Sequence, residues 1–157
     1  MPRLVIAALL VAVGIGCNSF QSGDSEPQSV MVQKGSDFDL TTGETARVSG
    51  SFVNITFTGV REDSRCPTDV QCVWQGNAVV RLAVRHANGP ATDTVLSVNQ
   101  EPHSMRYENF FITVRDLMPA RRSDHPLKQE EYTVTLRVTE HRFQPATEAF
   151  KQSRSGR

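Results

Sequence analysis

The chain has 157 residues, with 17 Lys and Arg against 17 Asp and Glu, and is formally neutral at pH 7. That balance offers no electrostatic case for binding nucleic acid or an anionic membrane surface. The length suits one domain with a core of its own, and no stretch after the first sixteen residues is apolar enough to span a bilayer.

In chain order, the first feature has the layout of an export signal. Arg3 is the only charge in residues 1–16, Leu4 to Val13 are unbroken apolar, and Gly14, Ile15 and Gly16 lead to Cys17. A basic start, a short apolar core and small residues at a cut site define a secretory signal. A spanning helix needs roughly 20 apolar residues, and Gly14 and Gly16 would weaken a helix end packed in a core. The Gly14-Ile15-Gly16-Cys17 stretch resembles the lipobox of bacterial lipoproteins, with Gly14 where that family usually has Leu. The resemblance implies cleavage before Cys17, a diacylglycerol on its sulfur, and often a further acyl chain such as palmitate on the new amino group. The rival is a plain secreted protein with a spare Cys17. Cleavage would remove Arg3 and no acid, leaving 16 basic and 17 acidic residues. Asn18 lacks the acidic inner-membrane retention signal of enteric lipoproteins, so the resemblance implies the outer membrane, on its periplasmic or surface side, if the cell is diderm.

The expected organisation is a signal peptide at 1–16 and a lipidated cysteine with a flexible polar tether at 17–28. A β-sandwich domain follows at 29–141, then a polar tail at 142–157; helical periodicity is weak everywhere except at 145–151. Within the domain the apolar period is two. Val30 and Val32 alternate with polar neighbours, as do Val53, Ile55 and Phe57. Ala78, Val80, Leu82 and Val84 form one face of a further strand, with Arg81 and Arg85 outside. Val95 to Val98 reads as a short strand. Phe110, Ile112 and Val114 alternate, and so do Tyr132, Val134, Leu136 and Val138. Such alternation with β-branched residues predicts half-buried strands. Turn residues at 42–43, 49–50 and 87–90 separate them, and 87–91 reads as a hairpin loop. The fold class predicted is all-β: an antiparallel sandwich or small barrel of about seven strands, with one disulfide-closed loop.

With Cys17 taken by lipid, Cys66 and Cys72 remain, and an even pair in an exported chain reads as a disulfide. The spacing is not C-x-x-C and no histidine lies near in sequence, which weighs against metal or redox chemistry. The pair sits in the densest segment of the chain, residues 60–78, together with the only Trp and five charged residues. Glu62-Asp63-Ser64-Arg65-Cys66-Pro67, followed by Cys72-Val73-Trp74-x-Gly76-x-Ala78, resembles a motif of small uncharacterised bacterial lipoproteins. The likeness covers roughly 38–138, including a Gly-Glu-Thr turn and a Tyr-Thr-Val-Thr-Leu strand, and it implies no activity.

Two readings of this loop stand side by side. In the first it is scaffold: Asp63 or Ser64 bonds backbone N–H groups, Arg65 pairs with Glu62 or Asp63, Gly76 supplies a positive φ, and Trp74 covers the disulfide and one end of the core. In the second it recognises a partner through Arg61, Glu62, Asp63, Arg65, Asp69, Trp74 and Asn77. A loop fixed by a disulfide loses less entropy on binding, and Trp and Arg are favoured anchors.

Catalytic patterns are absent from the sequence: there is no G-x-S-x-G, H-E-x-x-H or phosphate-cradling glycine loop. His86, His103, His125 and His141 read as solvated. His103 with Met105 offers two copper-type ligands, too few for a site, and Glu62, Asp63 and Asp69 could in principle face a calcium ion. Asn54-Ile55-Thr56 matches a glycosylation sequon that is incidental in a bacterial chain. The expectation is a non-enzymatic envelope lipoprotein without a cofactor, bound to a membrane through lipid and contacting an envelope protein, peptide or glycan, but not nucleic acid. The alternative is an envelope enzyme or metal-site protein whose ligands meet only in the fold.

Overall fold

A computed structural model describes residues 29–141. The expected signal peptide, lipidated Cys17, tether, polar tail and helical period at 145–151 lie outside the described residues. The described chain forms nine strands: β1 Ser29–Val32, β2 Asp37–Thr41, β3 Thr45–Val48, β4 Val53–Asp63, β5 Ala78–His86, β6 Thr92–Ser97, β7 Ser104–Tyr107, β8 Phe110–Met118 and β9 Thr133–Glu140. They make a five-stranded sheet in the order β1-β3-β4-β5-β6 and a four-stranded sheet in the order β2-β9-β8-β7. All pairings are antiparallel except β1 with β3. The molecule is a sandwich, not a closed barrel. Among the described residues no helix is long and apolar enough to cross a membrane.

The alternation read from the sequence is what the two sheets bury. Val53, Ile55 and Phe57 of β4, Ala78, Val80, Leu82 and Val84 of β5, Ile112 and Val114 of β8, and Val134, Leu136 and Val138 of β9 meet between the sheets. Each large side chain withdrawn from water there contributes about 1.5–3 kcal/mol. Arg81 and Arg85 face outward on β5, and the 87–91 segment joins antiparallel β5 and β6 as a hairpin.

Nine strands stand where about seven are expected: six are read from their alternation, and β2, β3 and β7 are too short to show a period. Each spans four or five residues, so each carries only two inward positions, such as Phe38 and Leu40, or Ala46 and Val48. β2 and β3 also lie in different sheets, with the turn at 42–44 crossing between them. Short edge strands and the outward charges Asp37 and Asp39 on β2 discourage edge-to-edge pairing.

Three bulges shift the alternation where it matters for the site. β4 slips against β5 between Phe57 and Gly59, and again between Val60 and Glu62. β8 slips against β9 between Val114 and Asp116, which turns Leu117 inward. The side chain of Gln129 seals the β4 bulge, accepting from Val60 N–H at 2.9 Å and donating to Val60 C=O at 2.9 Å. Its Oε1 stands 2.5 Å from where a Cβ on Gly59 would be, at φ +125°, so this position requires glycine. After the two slips, Asp63 ends β4 turned toward Tyr132 of the facing layer.

Candidate functional site

The loop between β4 and β5 divides into a stem and a tip. The stem continues the β4–β5 ladder beyond the strands. Ser64 N–H donates to Asn77 C=O at 2.7 Å and Cys66 N–H to Gln75 C=O at 2.8 Å. Ser64 Oγ donates to the same Asn77 carbonyl at 2.9 Å. Gly76 holds φ +70°, and a Cβ there would lie 1.9 Å from the Ser64 carbonyl oxygen, so the two arms of the stem approach too closely for any other residue. Asn77 Oδ1 accepts from Asn99 N–H at 3.0 Å, which ties the stem to the segment after β6.

Beneath the stem lies a charge cluster. Arg65 Nε donates to Asp63 Oδ1 at 2.9 Å and Nη2 to Oδ2 at 2.7 Å. Their side chains are only 12% and 7% exposed. The same guanidinium donates to the carbonyls of Leu117 and Pro119, and Tyr132 OH donates to Asp63 Oδ2 at 3.1 Å. One arginine therefore joins β4 to the chain leaving β8, with every donor it uses directed to an acceptor. Burial works against the charge on Asp63, but the hydrogen bonds and charge of Arg65, with Tyr132, outweigh it and hold the carboxyl below its ordinary value. Burial and then the neighbouring Asp63 push the Tyr132 phenol up.

A second buttress comes from residues 121–123. Arg121 Nη1 donates to Arg65 C=O at 2.8 Å, and Thr68 N–H donates to Arg121 C=O at 2.9 Å. Asp69 accepts from Ser123 N–H at 2.9 Å and also from Ser123 Oγ. The Ser123 hydroxyl, then its N–H, draw the Asp69 carboxyl below its usual value. Cys66 and Cys72 form the expected disulfide, with Cα atoms 5.9 Å apart.

The tip is different in kind. Trp74 is 83% exposed, Val73 90% and Val70 48%. The expectation that Trp74 covers the disulfide and the end of the core is overturned: the side chain stands in solvent. The physical reason is that the end of the core is already closed by Tyr132, Leu117 and the Asp63–Arg65 pair, so the loop has nothing left there for Trp74 to cover. Cys72 is itself exposed, and the disulfide fastens the tip to the stem, not to the core.

The residues named from the sequence therefore separate. Asp63, Arg65, Asp69 and Asn77 are engaged within the protein and form the stem. Arg61 and Glu62 lie on the exposed end of β4, with no side-chain hydrogen bond or ion pair among the described residues. Trp74 alone of the seven belongs to the tip, with Val70 and Val73, which sequence reasoning passed over. Their signal was available: two valines and a tryptophan inside a loop with no alternating period have no sheet face to bury them. The buttress residues Arg121 and Ser123 carried no such signal, since their role depends on a contact more than fifty residues away.

Elsewhere, His103 faces Glu101 at 2.9 Å, His86 faces Glu108 at 2.9 Å and His125 faces Glu131 at 3.0 Å, all at the surface. Asp63 and Asp69 are directed to different partners, away from a common point with Glu62. Among the described residues, no group of three or more His, Cys, Asp or Glu is placed to hold a metal ion. A groove of about 300 Å³ lies on the outer face of the five-stranded sheet at the far end, with Arg47, Asn54 and Arg85 in one cross-strand row. No protein-family model, no curated protein and no solved structure matches the chain.

Proposed function

We propose that this chain is a non-enzymatic, lipid-anchored binding domain of the bacterial cell envelope, held by lipid on Cys17 and making its contacts through the loop tip at Val70, Val73 and Trp74. One observation carries the contact surface: the only tryptophan of the chain is 83% exposed, beside an equally exposed valine, on a loop whose stem is fixed by a disulfide and a buried ion pair. A large apolar side chain held rigidly in water costs free energy unless something covers it, and rigidity lowers the entropy lost when that happens. The anchor is supported by the apolar run 4–13 and the small residues before Cys17.

The test is metabolic labelling with a fatty-acid analogue in intact cells, combined with fractionation, for the wild type and Cys17→Ser. The expected result is label on the wild-type protein in the membrane fraction, with label lost and protein released in the variant. A wild-type protein that takes up no label and fractionates as soluble removes the anchor.

A further inference from the structure

We infer that the occupant of the exposed tip is the lipid bilayer itself: Val70, Val73 and Trp74 enter the membrane interface and set the domain on its disulfide end. The inference rests on the anchored reading above and names the partner of that same surface.

The direction in which the chain reaches the sheet is the first argument. β1 is parallel to β3 and antiparallel to β4, with Ser29, Thr45, Thr56 and Ala83 in one cross-strand row. The N-terminal end of β1 at Ser29 therefore points to the end where β4 finishes and β5 begins, which is the end that carries the loop. Ala78, where the loop rejoins the sheet, is five positions along β5 from Ala83, about 17 Å at the usual strand rise. Cys17 precedes Ser29 by twelve residues, a length whose full reach is about 40 Å. A lipid on Cys17 can thus lie level with the tip or beyond it, on the side the tip already faces.

Surface chemistry is the second argument. Seven large apolar side chains are exposed among the described residues: Met31, Phe52, Val70, Val73, Trp74, Val95 and Met118. Four of them, Val70, Val73, Trp74 and Met118, belong to the loop end, since Met118 lies between Leu117 and Pro119, whose carbonyls hold Arg65. Tryptophan with short aliphatic neighbours is the composition favoured at the headgroup level of a bilayer. The tip residues 70–75 (Val-Gln-Cys-Val-Trp-Gln) carry no formal charge, since Cys72 is in the disulfide, so insertion buries no ion. Concentration completes the case: an anchor converts contact with the membrane into an intramolecular event, and a weak apolar tip then suffices.

Because Trp74 is the only tryptophan, its fluorescence reports the tip alone. The mature lipidated protein is placed in phosphatidylcholine–phosphatidylglycerol vesicles made with and without brominated acyl chains. The expected result is a blue-shifted emission, at least roughly twofold quenching by the brominated lipid, and a comparable loss of quenching by aqueous iodide, as for an interfacial indole. Trp74→Phe combined with Phe52→Trp moves the sole tryptophan to the opposite end of the sandwich, where brominated lipid should leave emission unchanged. Vesicle-bound protein whose Trp74 stays fully open to iodide overturns the inference and leaves the anchor intact. Equal bromolipid quenching at positions 52 and 74 overturns the orientation. Shielding of Trp74 that requires a co-captured protein, with no quenching in protein-free vesicles, assigns the tip to a protein partner and overturns it too. Protein that carries no lipid on Cys17 and does not float with vesicles removes the anchored reading, and this inference falls with it.

Discussion

The stem and the tip of one disulfide loop lie within fifteen residues of each other and obey opposite rules. In the stem, charged side chains are bonded within the protein: Arg65 and Asp63 are almost fully covered, and the exposed Asp69 caps the Ser123 backbone. In the tip, apolar side chains are turned outward, with Trp74 and Val73 left largely in water. The usual partition of polar outside and apolar inside is thus reversed across a few residues. The difference teaches where free energy resides. Stem charges are satisfied by hydrogen bonds and neighbouring charge, so they stabilise the fold. Tip hydrophobics remain largely in water among the described residues, so they add little to the stability of the fold.

The comparison breaks most severely at Asp63. Asp63→Ala leaves a largely buried guanidinium without its carboxylate, and unfolding stability should fall by about 3–5 kcal/mol, as when one partner of a buried pair is removed. Denaturant titration of the variant checks this; a loss under about 1 kcal/mol would show that the pair is a surface feature. The same residue sets a pH dependence. Its folded pKa lies below its unfolded value of roughly 3.9, so its contribution is complete above that pH and disappears as pH falls through the lower folded value. The acid limb of a stability–pH curve should accordingly be shallower in Asp63→Asn than in the wild type.

Next in size is Gly76→Ala. A Cβ placed 1.9 Å from the Ser64 carbonyl at φ +70° forces the two arms of the stem apart. About 3 kcal/mol should be lost, from backbone strain and a broken ladder. Thermal unfolding measures it, and Gly35→Ala, where a Cβ at similarly positive φ meets open space, should lose clearly less.

Opening the disulfide with Cys66→Ser and Cys72→Ser should cost about 2 kcal/mol, the chain-entropy value for so small a ring. Amide exchange should then rise across 67–75 while β4 and β5 stay protected, because the stem has its own hydrogen bonds. Protection lost throughout both strands would mean that the covalent staple holds the stem as well as the tip.

The smallest effect on stability belongs to Trp74→Ala. An exposed side chain should contribute within roughly 0.5 kcal/mol of nothing, against the 3–5 kcal/mol of a buried aromatic. Unchanged melting together with weakened membrane or partner contact is the outcome that sharpens the comparison. A large drop in melting temperature would place Trp74 in the core.

Much of the loop's chemistry was legible beforehand, but its assignment to roles was not. The Cys66–Cys72 pairing, the positive φ at Gly76 and the Asp63–Arg65 pair each follow from neighbours close in sequence, where spacing restricts the options. Arg61, Glu62 and Asp69 stand with Trp74 in the recognition reading of the sequence. Asp69 is instead committed to Ser123, fifty-four positions away, and Trp74 has become the discriminating side chain. Nothing in the local sequence records that residues 121–123 return beneath the loop, or that Tyr132 and Leu117 close the end of the core before Trp74 could.

By itself, the sequence determined the all-β class, because period-two alternation in β4, β5, β8 and β9 leaves one apolar face per strand that only another sheet layer can cover; that the layers form an open sandwich and not a small barrel was decided by the tertiary structure. The sequence also determined the disulfide loop and the signal-like N-terminus as chemical patterns. Tertiary structure alone decided the number of strands, since two inward residues on β2, β3 or β7 carry no readable period until a neighbour supplies the hydrogen bonds. It also decided which side of the loop faces water. Burial is a property of what packs on a residue, and for Asp63 and Trp74 that was settled by β8, β9 and the chain between them, not by their own neighbours in sequence.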